Sequence, residues 1–268
     1  MLTVALTGAT GFIGRALLER LSAQGVFVKA LYRPHSPRKS TESVEWLTGE
    51  LEDKDSLRAL VKGTDAVIHC AGAVRGTSLE SFKTVNADGV DHLLRASIEE
   101  KVPRFLLISS LAAREPSLSA YAASKKMGED VLYDAAGRIS CDILRPPAVY
   151  GPGDKEMQPL LKMIKRGIVP IVGDKNGRFS LLYIDDLAEA VCCLLRPERT
   201  EAGECFELHD GHSGGYTWRQ IAAIAAHLNG KKPHCFSMPR PLLQSVASTN
   251  AFLAGLFGYK PMLTPGKV

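Results

Sequence analysis

Residues 7–14 read TGATGFIG and stand between an apolar run, Leu2–Leu6, and a helical pattern that opens near Phe12. Gly8 permits a tight turn out of a strand, Gly11 lets backbone approach a pyrophosphate, and Gly14 lets the new helix pack close to that strand. The backbone around Thr10, Phe12 and Ile13 then offers free N–H groups to an anion at a helix N-terminus. Glycines at this spacing would be weak evidence alone. Placed between a strand and a helix, they predict a dinucleotide site.

The rest of the N-terminal half repeats that alternation. Short apolar runs at Leu2–Leu6, Val26–Leu31, Val44–Leu47, Ala66–His69, Arg104–Ile108 and Cys141–Leu144 are predicted strands. Helical patterns near 12–24, 55–62, 80–100 and 121–136 lie between them. Strands alternating with helices predict an α/β doubly wound parallel sheet over residues 1–150, with its ligand crevice at the carboxyl ends of the strands. The loop RPPAVYGPGD (145–154) leaves that sheet. Residues 151–268 are expected to form a small α+β substrate lobe, with 181–195 returning to the core. Its predicted elements are helices at about 156–166, 217–228 and 241–256 and a strand near 168–172. Asp185 or Asp186 is expected to cap the helix in LLYIDDLAEAVCCLL.

Composition excludes several classes. A chain of 268 residues with 45% apolar content can bury a substantial core. The 33 basic residues exceed the 29 acidic ones by four, spread along the chain without the runs of a nucleic-acid binder. An acidic small molecule suits a local basic cluster such as RPHSPRK better. No stretch reaches the ~18 apolar residues of a bilayer span, and MLTVALTG lacks the features of a signal peptide. The expectation is a soluble cytoplasmic protein. Its six cysteines, Cys70, Cys141, Cys192, Cys193, Cys205 and Cys235, show no metal spacing and are expected to be reduced and mostly buried. His209 and His212 flank Asp210, but no third ligand is placed, so no metal site is predicted.

Where a NAD enzyme places an acid after its second strand, this chain has LYRPHS with Arg33. A guanidinium there suits a 2′-phosphate and favours NADP(H) over NAD(H), with Arg38 and Lys39 able to reinforce it. Backbone around Glu50 and Leu51 after the third strand, and around Ala71 and Gly72 after the fourth, is expected to flank the adenine and ribose.

The segment YAASK puts Tyr121 and Lys125 on one helical face, and LISS brings Ser109 and Ser110 to the crevice rim. A phenol with a pKa of ~10 is a poor acid/base at neutral pH unless a nearby ammonium favours the phenolate. Lys125 is expected to lower the pKa of Tyr121, with a serine hydroxyl to position a carbonyl or alcohol beside it. Without its surroundings, the same spacing describes many exposed helices.

Taken together, TGATGFIG, YAASK, RPPAVYGPGD and YIDDLAEAV resemble the motifs of the extended short-chain dehydrogenase/reductase family over residues 1 to about 195. That family, with a Rossmann-type sheet, includes NAD-dependent epimerase/dehydratase and dihydroflavonol-reductase-like enzymes. The resemblance implies Tyr121 as acid/base, Lys125 on the nicotinamide ribose, Ser110 on the substrate oxygen and Asn86 as the family's helix-four asparagine. It also puts Pro147, Ala148 and Val149 near the nicotinamide. Leu111 and Ala112 stand where sugar-nucleotide dehydratases carry an acidic pair, the interval from Ser110 to Tyr121 is short, and the C-terminal lobe is small. The function expected is therefore an NAD(P)-dependent oxidoreductase, NADPH favoured, acting on a ketone or secondary alcohol of a small molecule. The alternatives are a nucleotide-sugar 4-epimerase with tightly held NAD and a non-catalytic NADPH-holding assembly or sensor subunit. A homodimer formed through the helices near 80–100 and 121–136 is a further expectation.

Overall fold

The glycine-bounded apolar runs do form strands, and the helical patterns between them carry the chain from one strand to the next. The computed structural model describes residues 1–34, 36, 41–76, 78–172, 174, 176–196, 199 and 203–238. It begins β1 (Thr3–Thr7), α1 (Phe12–Ala23), β2 (Phe27–Tyr32), β3 (Val44–Thr48), α2 (Lys54–Val61) and β4 (Ala66–His69). Next come α3 (Leu79–Lys83), a π turn (Thr84–Asp88), α4 (Gly89–Glu99), β5 (Arg104–Ile108), two 3₁₀ turns, α5 (Ala120–Asp134) and β6 (Ser140–Arg145). The remainder is β7 (Ala148–Tyr150), α6 (Gln158–Lys165), β8 (Ile168–Val172), β9 (Arg178–Phe179), β10 (Leu181–Tyr183), α7 (Ile184–Leu194), β11 (Cys205–Glu207), β12 (Tyr216–Thr217), α8 (Trp218–Asn229) and β13 (His234–Met238). The chain divides into two units, one of residues 1–74, 78–146 and 184–208 and the other of 75–77, 147–183 and 209–268.

In the first unit seven parallel strands run in the order β11-β6-β5-β4-β1-β2-β3. Chain order reverses at β1 and β4, and the carboxyl ends of those strands are where such sheets bind ligands. All of Ala66–His69 is buried, as expected of a central parallel strand covered on both faces. On one face Val67, Phe105, Leu107 and Ile143 pack against Leu57 and Leu60 of α2, Leu93 of α4 and Leu132 of α5. Each such leucine contributes roughly 1.5–3 kcal/mol by leaving water. Elsewhere in this unit α1 packs against α7, Leu17 and Leu21 of the one being buried like Leu187 and Val191 of the other.

The second unit has its own small core of Val169, Trp218, Ile221 and Ala225. Thr217 caps α8 through Gln220 N at 3.3 Å, and Trp218 packs on Phe179 with ring centroids 4.9 Å apart. β8 pairs in parallel with β13, β7 with β10, and β9 runs antiparallel to β12.

Several expectations change. The sheet gains a seventh strand, Cys205–Glu207, which at three residues is too short to show alternation. The helix expected over 80–100 is broken by the π turn that carries Asn86. Asp185 and Asp186 lie inside the first turn of α7 and not at its cap, where their charge still complements the helix dipole. Only Cys192 of the six cysteines is buried; Cys205 and Cys235, both in strands, are exposed. Arg38, Lys39 and the helix predicted at 241–256 lie outside the described residues. Among those described, no helix is long and apolar enough to cross a membrane.

Candidate active site

At the end of β1 the glycine loop turns so tightly that side chains are excluded. Gly8 has φ +72°, and a Cβ there would lie 2.6 Å from the Ala71 nitrogen; at Gly14 it would lie 2.0 Å from the Gly8 carbonyl oxygen. The loops that follow β1 and β4 are therefore in contact. Gly11 N donates to Gly8 O at 2.9 Å and is the N-cap of α1, which has no side-chain cap and no acid in its first turn. The amides near Thr10, Phe12 and Ile13 are thus left to an anionic ligand, so this cradle fits the pyrophosphate of a dinucleotide. Arg33 is exposed directly after β2.

Thr7 and His69, both fully buried, fix the two loops to each other. Thr7 Oγ1 lies 2.8 Å from His69 Nδ1 and accepts from Ala71 N at 3.3 Å. Burial, aided by the charge of Lys125, pushes the His69 pKa down to about 3, so the ring is neutral. After β3, Glu50 is exposed, while Leu51 accepts from His92 Nδ1 at 2.9 Å and packs against Gly89 of α4.

Ser119 opens α5 by accepting from Ala122 N at 3.1 Å, and the helix then presents Tyr121 and Lys125 on one face. Ser110 accepts from Ala112 N at 3.2 Å, capping the 3₁₀ turn Leu111–Arg114. The short interval from Ser110 to Tyr121 is used by this turn and a second one, Pro116–Leu118, both packed on α5. It brings the two residues into a side-chain hydrogen bond. Phe82 of α3 meets the Tyr121 ring edge-on, with centroids 5.9 Å apart.

The phenol behaves differently from the sequence expectation. Burial raises the Tyr121 pKa, and its hydrogen bond to Ser110 only partly offsets that rise. The Lys125 ammonium donates instead to the Ile108 carbonyl at 2.9 Å, which is why it does not set the balance at the phenol. Desolvation lowers Lys125 itself to about 8, against smaller opposing contributions from Cys70 and Glu129.

This depression has a stability consequence. Below pH 8 Lys125 is protonated in both native and unfolded chains, whereas between about 8 and its ordinary 10.5 only the unfolded chain keeps the proton. Native stability therefore gains on the order of 3 kcal/mol from this group as pH rises through that window. Denaturant titrations from pH 8 to 10 should show this rise relative to Lys125→Met; parallel curves for the two proteins would refute it.

Asn86 is 2% exposed and its amide is fully engaged. Its Oδ1 accepts from Ala73 N at 2.8 Å, while Nδ2 donates to Ala73 O and to Ser124 Oγ, each at 3.0 Å. With both N–H donors committed, it ties the loop bearing Ala71 and Gly72 to α5. A Cβ on Gly72 would come within 3.4 Å of Asn86 Oδ1 and 3.9 Å of Lys125 Nζ, so that loop passes directly beside the lysine. A Cβ on Gly128 would strike the Asn86 carbonyl at 2.1 Å, so glycine is what lets α5 approach the π turn.

Sequence reasoning missed Glu129. It is fully buried, one turn beyond Lys125, and accepts from Ser109 Oγ at 2.5 Å and from Arg145 Nη2 and Nε at 2.6 and 2.9 Å. Arg145 Nη1 continues to Glu207 at 3.3 Å, which also receives Arg114. The eight-residue spacing from Tyr121 put Glu129 on the helix's inner face, but its partner comes from β6 and only the folded sheet supplies it. Pro147, Ala148 and Val149 belong to the second unit, the last two within β7.

A dinucleotide cradle at the reversal of a parallel sheet, with a phenol and an ammonium on the helix that follows β5, is the equipment of extended short-chain dehydrogenase/reductases, NAD(P)-dependent enzymes. The chain belongs to the NAD dependent epimerase/dehydratase family, which matches residues 4–208. It is 41% identical over 240 residues to a ceramide reductase of Caulobacter vibrioides, covering 89% of this chain and 74% of that one. A 2-alkyl-3-oxoalkanoate reductase of Stenotrophomonas maltophilia is 28% identical over 233 residues, covering 78% and 70%. A mitochondrial NADH dehydrogenase alpha subcomplex subunit 9 of Arabidopsis thaliana is 26% identical over 255 residues, covering 92% of this chain and 62% of that one. Among solved structures, a UDP-glucose 4-epimerase of Thermotoga maritima shares the fold with a TM-score of 0.75 at 21% identity, over 89% of this chain and 86% of that one.

Proposed function

We propose that this chain is an NADPH-dependent reductase of a ketone carried by a long-chain, lipid-like molecule. The observation that carries the reading is the hydrogen bond between Ser110 and Tyr121 in a site whose burial keeps the phenol protonated. Ketone reduction consumes that form. When bound, a nicotinamide would supply the hydride; Ser110 Oγ would hold the carbonyl oxygen, Tyr121 would deliver the proton to it, and Lys125 would hold the nicotinamide ribose. Asn86 positions the loop of Ala71 and Gly72, whose backbone flanks the ribose. Glu50 and Leu51 border the adenine, and Pro147, Ala148 and Val149 serve the nicotinamide side.

Two reductase relatives favour the substrate class, because ceramide and 2-alkyl-3-oxoalkanoate both join an apolar chain to oxygenated carbon. With Leu111 and Ala112 after Ser110, the chain lacks the additional acid/base pair that dehydration would use. The test is turnover of long-chain 3-oxo lipids with NADPH, set against UDP-sugars with NAD. Consumption of NADPH by the lipid ketone supports the reading. Interconversion of UDP-sugars without net cofactor change would establish the epimerase instead, and NADPH binding without any turnover the assembly subunit.

Arg33 supports the choice of NADPH by its charge and its place after β2. Arg33→Asp should weaken NADPH by roughly 10–100-fold, the equivalent of a lost charge-assisted contact of about 1.5–3 kcal/mol, and should affect NADH little. Calorimetric titration of both cofactors measures this; an unchanged NADPH affinity would remove Arg33 from the cofactor site.

A further inference from the structure

The net charge that looks evenly spread along the chain is not. All 29 acidic residues lie at or before Asp210, whereas six of the 33 basic residues follow it. Met157–Val172 likewise contains no carboxylate, but holds Lys162, Lys165 and Arg166. The fold of the second unit joins these two acid-free stretches. Asn229 Nδ2 donates to Ile164 O at 3.1 Å, His234 N donates to Gly167 O at 2.7 Å, and β13 pairs with β8 from His234 opposite Ile168. The last turns of α6 and α8 therefore meet the first residues of β8 and β13 at one edge.

That edge is apolar as well as basic. Leu228 is 74% exposed, Ile224 one turn before it 45%, Leu161 38% and Ile168 36%. Lys165, Arg166, Lys231 and Lys232 are exposed among them. Cations at a helix C-terminus complement its dipole, which accounts for some of this charge. The dipole gives no reason for four large aliphatic side chains in water beside them, nor for the lack of Asp and Glu in the two stretches that meet here. Surface cations of the first unit do meet acids, as Arg20 meets Glu189 and Arg95 meets Asp91.

We propose that this edge docks on the surface of an anionic phospholipid bilayer. Exposed aliphatic groups enter the acyl boundary and the ammonium and guanidinium groups meet lipid phosphates, as in helices that lie in the membrane interface. A neutral protein partner would leave the cations unanswered, and a nucleic acid would leave Leu228 and Ile224 without a partner. The proposal goes beyond the reductase reading and does not depend on it.

Flotation of the full chain with vesicles tests it. Vesicles of phosphatidylcholine with phosphatidylglycerol should bind the protein, phosphatidylcholine alone should not, and added salt should weaken binding as it screens the charges. Lys231→Glu with Lys232→Glu, and separately Ile224→Asp with Leu228→Asp, should each lower the vesicle partition coefficient at least tenfold. Circular dichroism and affinity for the nicotinamide nucleotide should stay unchanged in both, the first showing that the second unit remains folded and the second keeping this test apart from that of the reductase. The proposal is overturned if the wild type does not float with anionic vesicles, or if neither variant changes its binding. It is equally overturned if the aspartate variant only lowers the unfolding midpoint or splits a dimer, since the edge is then covered by protein.

Discussion

Tyr121→Phe is expected to lower kcat for ketone reduction by about 10²–10⁴-fold, the usual contribution of a positioned acid, with cofactor affinity and unfolding midpoint unchanged. The substitution removes one hydroxyl and leaves the ring, so the edge-on contact with Phe82 at 5.9 Å survives. What is lost is the proton. Burial holds the phenol above its ordinary pKa, and Ser110 keeps the oxygen oriented through their shared hydrogen bond. Ser110→Ala should reduce kcat less, because the phenol can still donate to a less well held carbonyl. Steady-state kinetics with a saturating ketone, together with cofactor titration, separate these outcomes. A Tyr121→Phe enzyme within a factor of two of wild type would show that the proton comes from elsewhere.

Glu129→Ala is expected to cost roughly 3–5 kcal/mol of stability, the penalty for leaving one member of a buried ion pair alone. Arg145 is the group stranded, since it gives Glu129 two hydrogen bonds at 2.6 and 2.9 Å, and Ser109 loses its acceptor. At about 2–4 °C per kcal/mol for a domain of this size, the unfolding midpoint should fall by roughly 6–20 °C. Replacing both residues, Glu129→Met with Arg145→Met, should cost less than the sum of the single changes, because two desolvated charges disappear together. Thermal unfolding of the two single variants and the double reads this directly. An additive double mutant would mean that the pair is not coupled, and a loss under 1 kcal/mol that water replaces the carboxylate.

The two outcomes rest on residues of different legibility. Local patterns, a helical spacing and the end of an apolar run, place Tyr121 on its helix and Ser109 and Ser110 at the rim, but the roles proposed for Tyr121 and Ser110 come from the family resemblance. Glu129 was not legible, because a buried acid becomes meaningful only with its partner, and Arg145 comes from β6, 16 residues further on. The direction of the Tyr121 pKa is hidden from the sequence for a related reason. Spacing on a helix puts the ammonium near the phenol, but cannot reveal that Lys125 turns to the Ile108 carbonyl or that burial outweighs the Ser110 hydrogen bond.

The same division holds for the fold. Six of the seven sheet strands follow from apolar runs closed by glycine or polar residues, while Cys205–Glu207 joins the sheet only by pairing with β6 after a long excursion of the chain. The π turn at Thr84–Asp88 lies in a sequence that reads as plain helix, and the close approach at Gly128 accompanies it.

By itself the sequence determined the parallel α/β architecture, the glycine turn after the first strand and the helix that carries Tyr121 and Lys125 on one face, since these depend on periodicity, glycine geometry and chemical type over short spans. Only the tertiary structure decided which proton carrier is held protonated, what anchors Asn86 and Glu129, and where the acid-free stretches of the second unit meet. Those are properties of burial and of contacts between distant segments, and packing alone creates them.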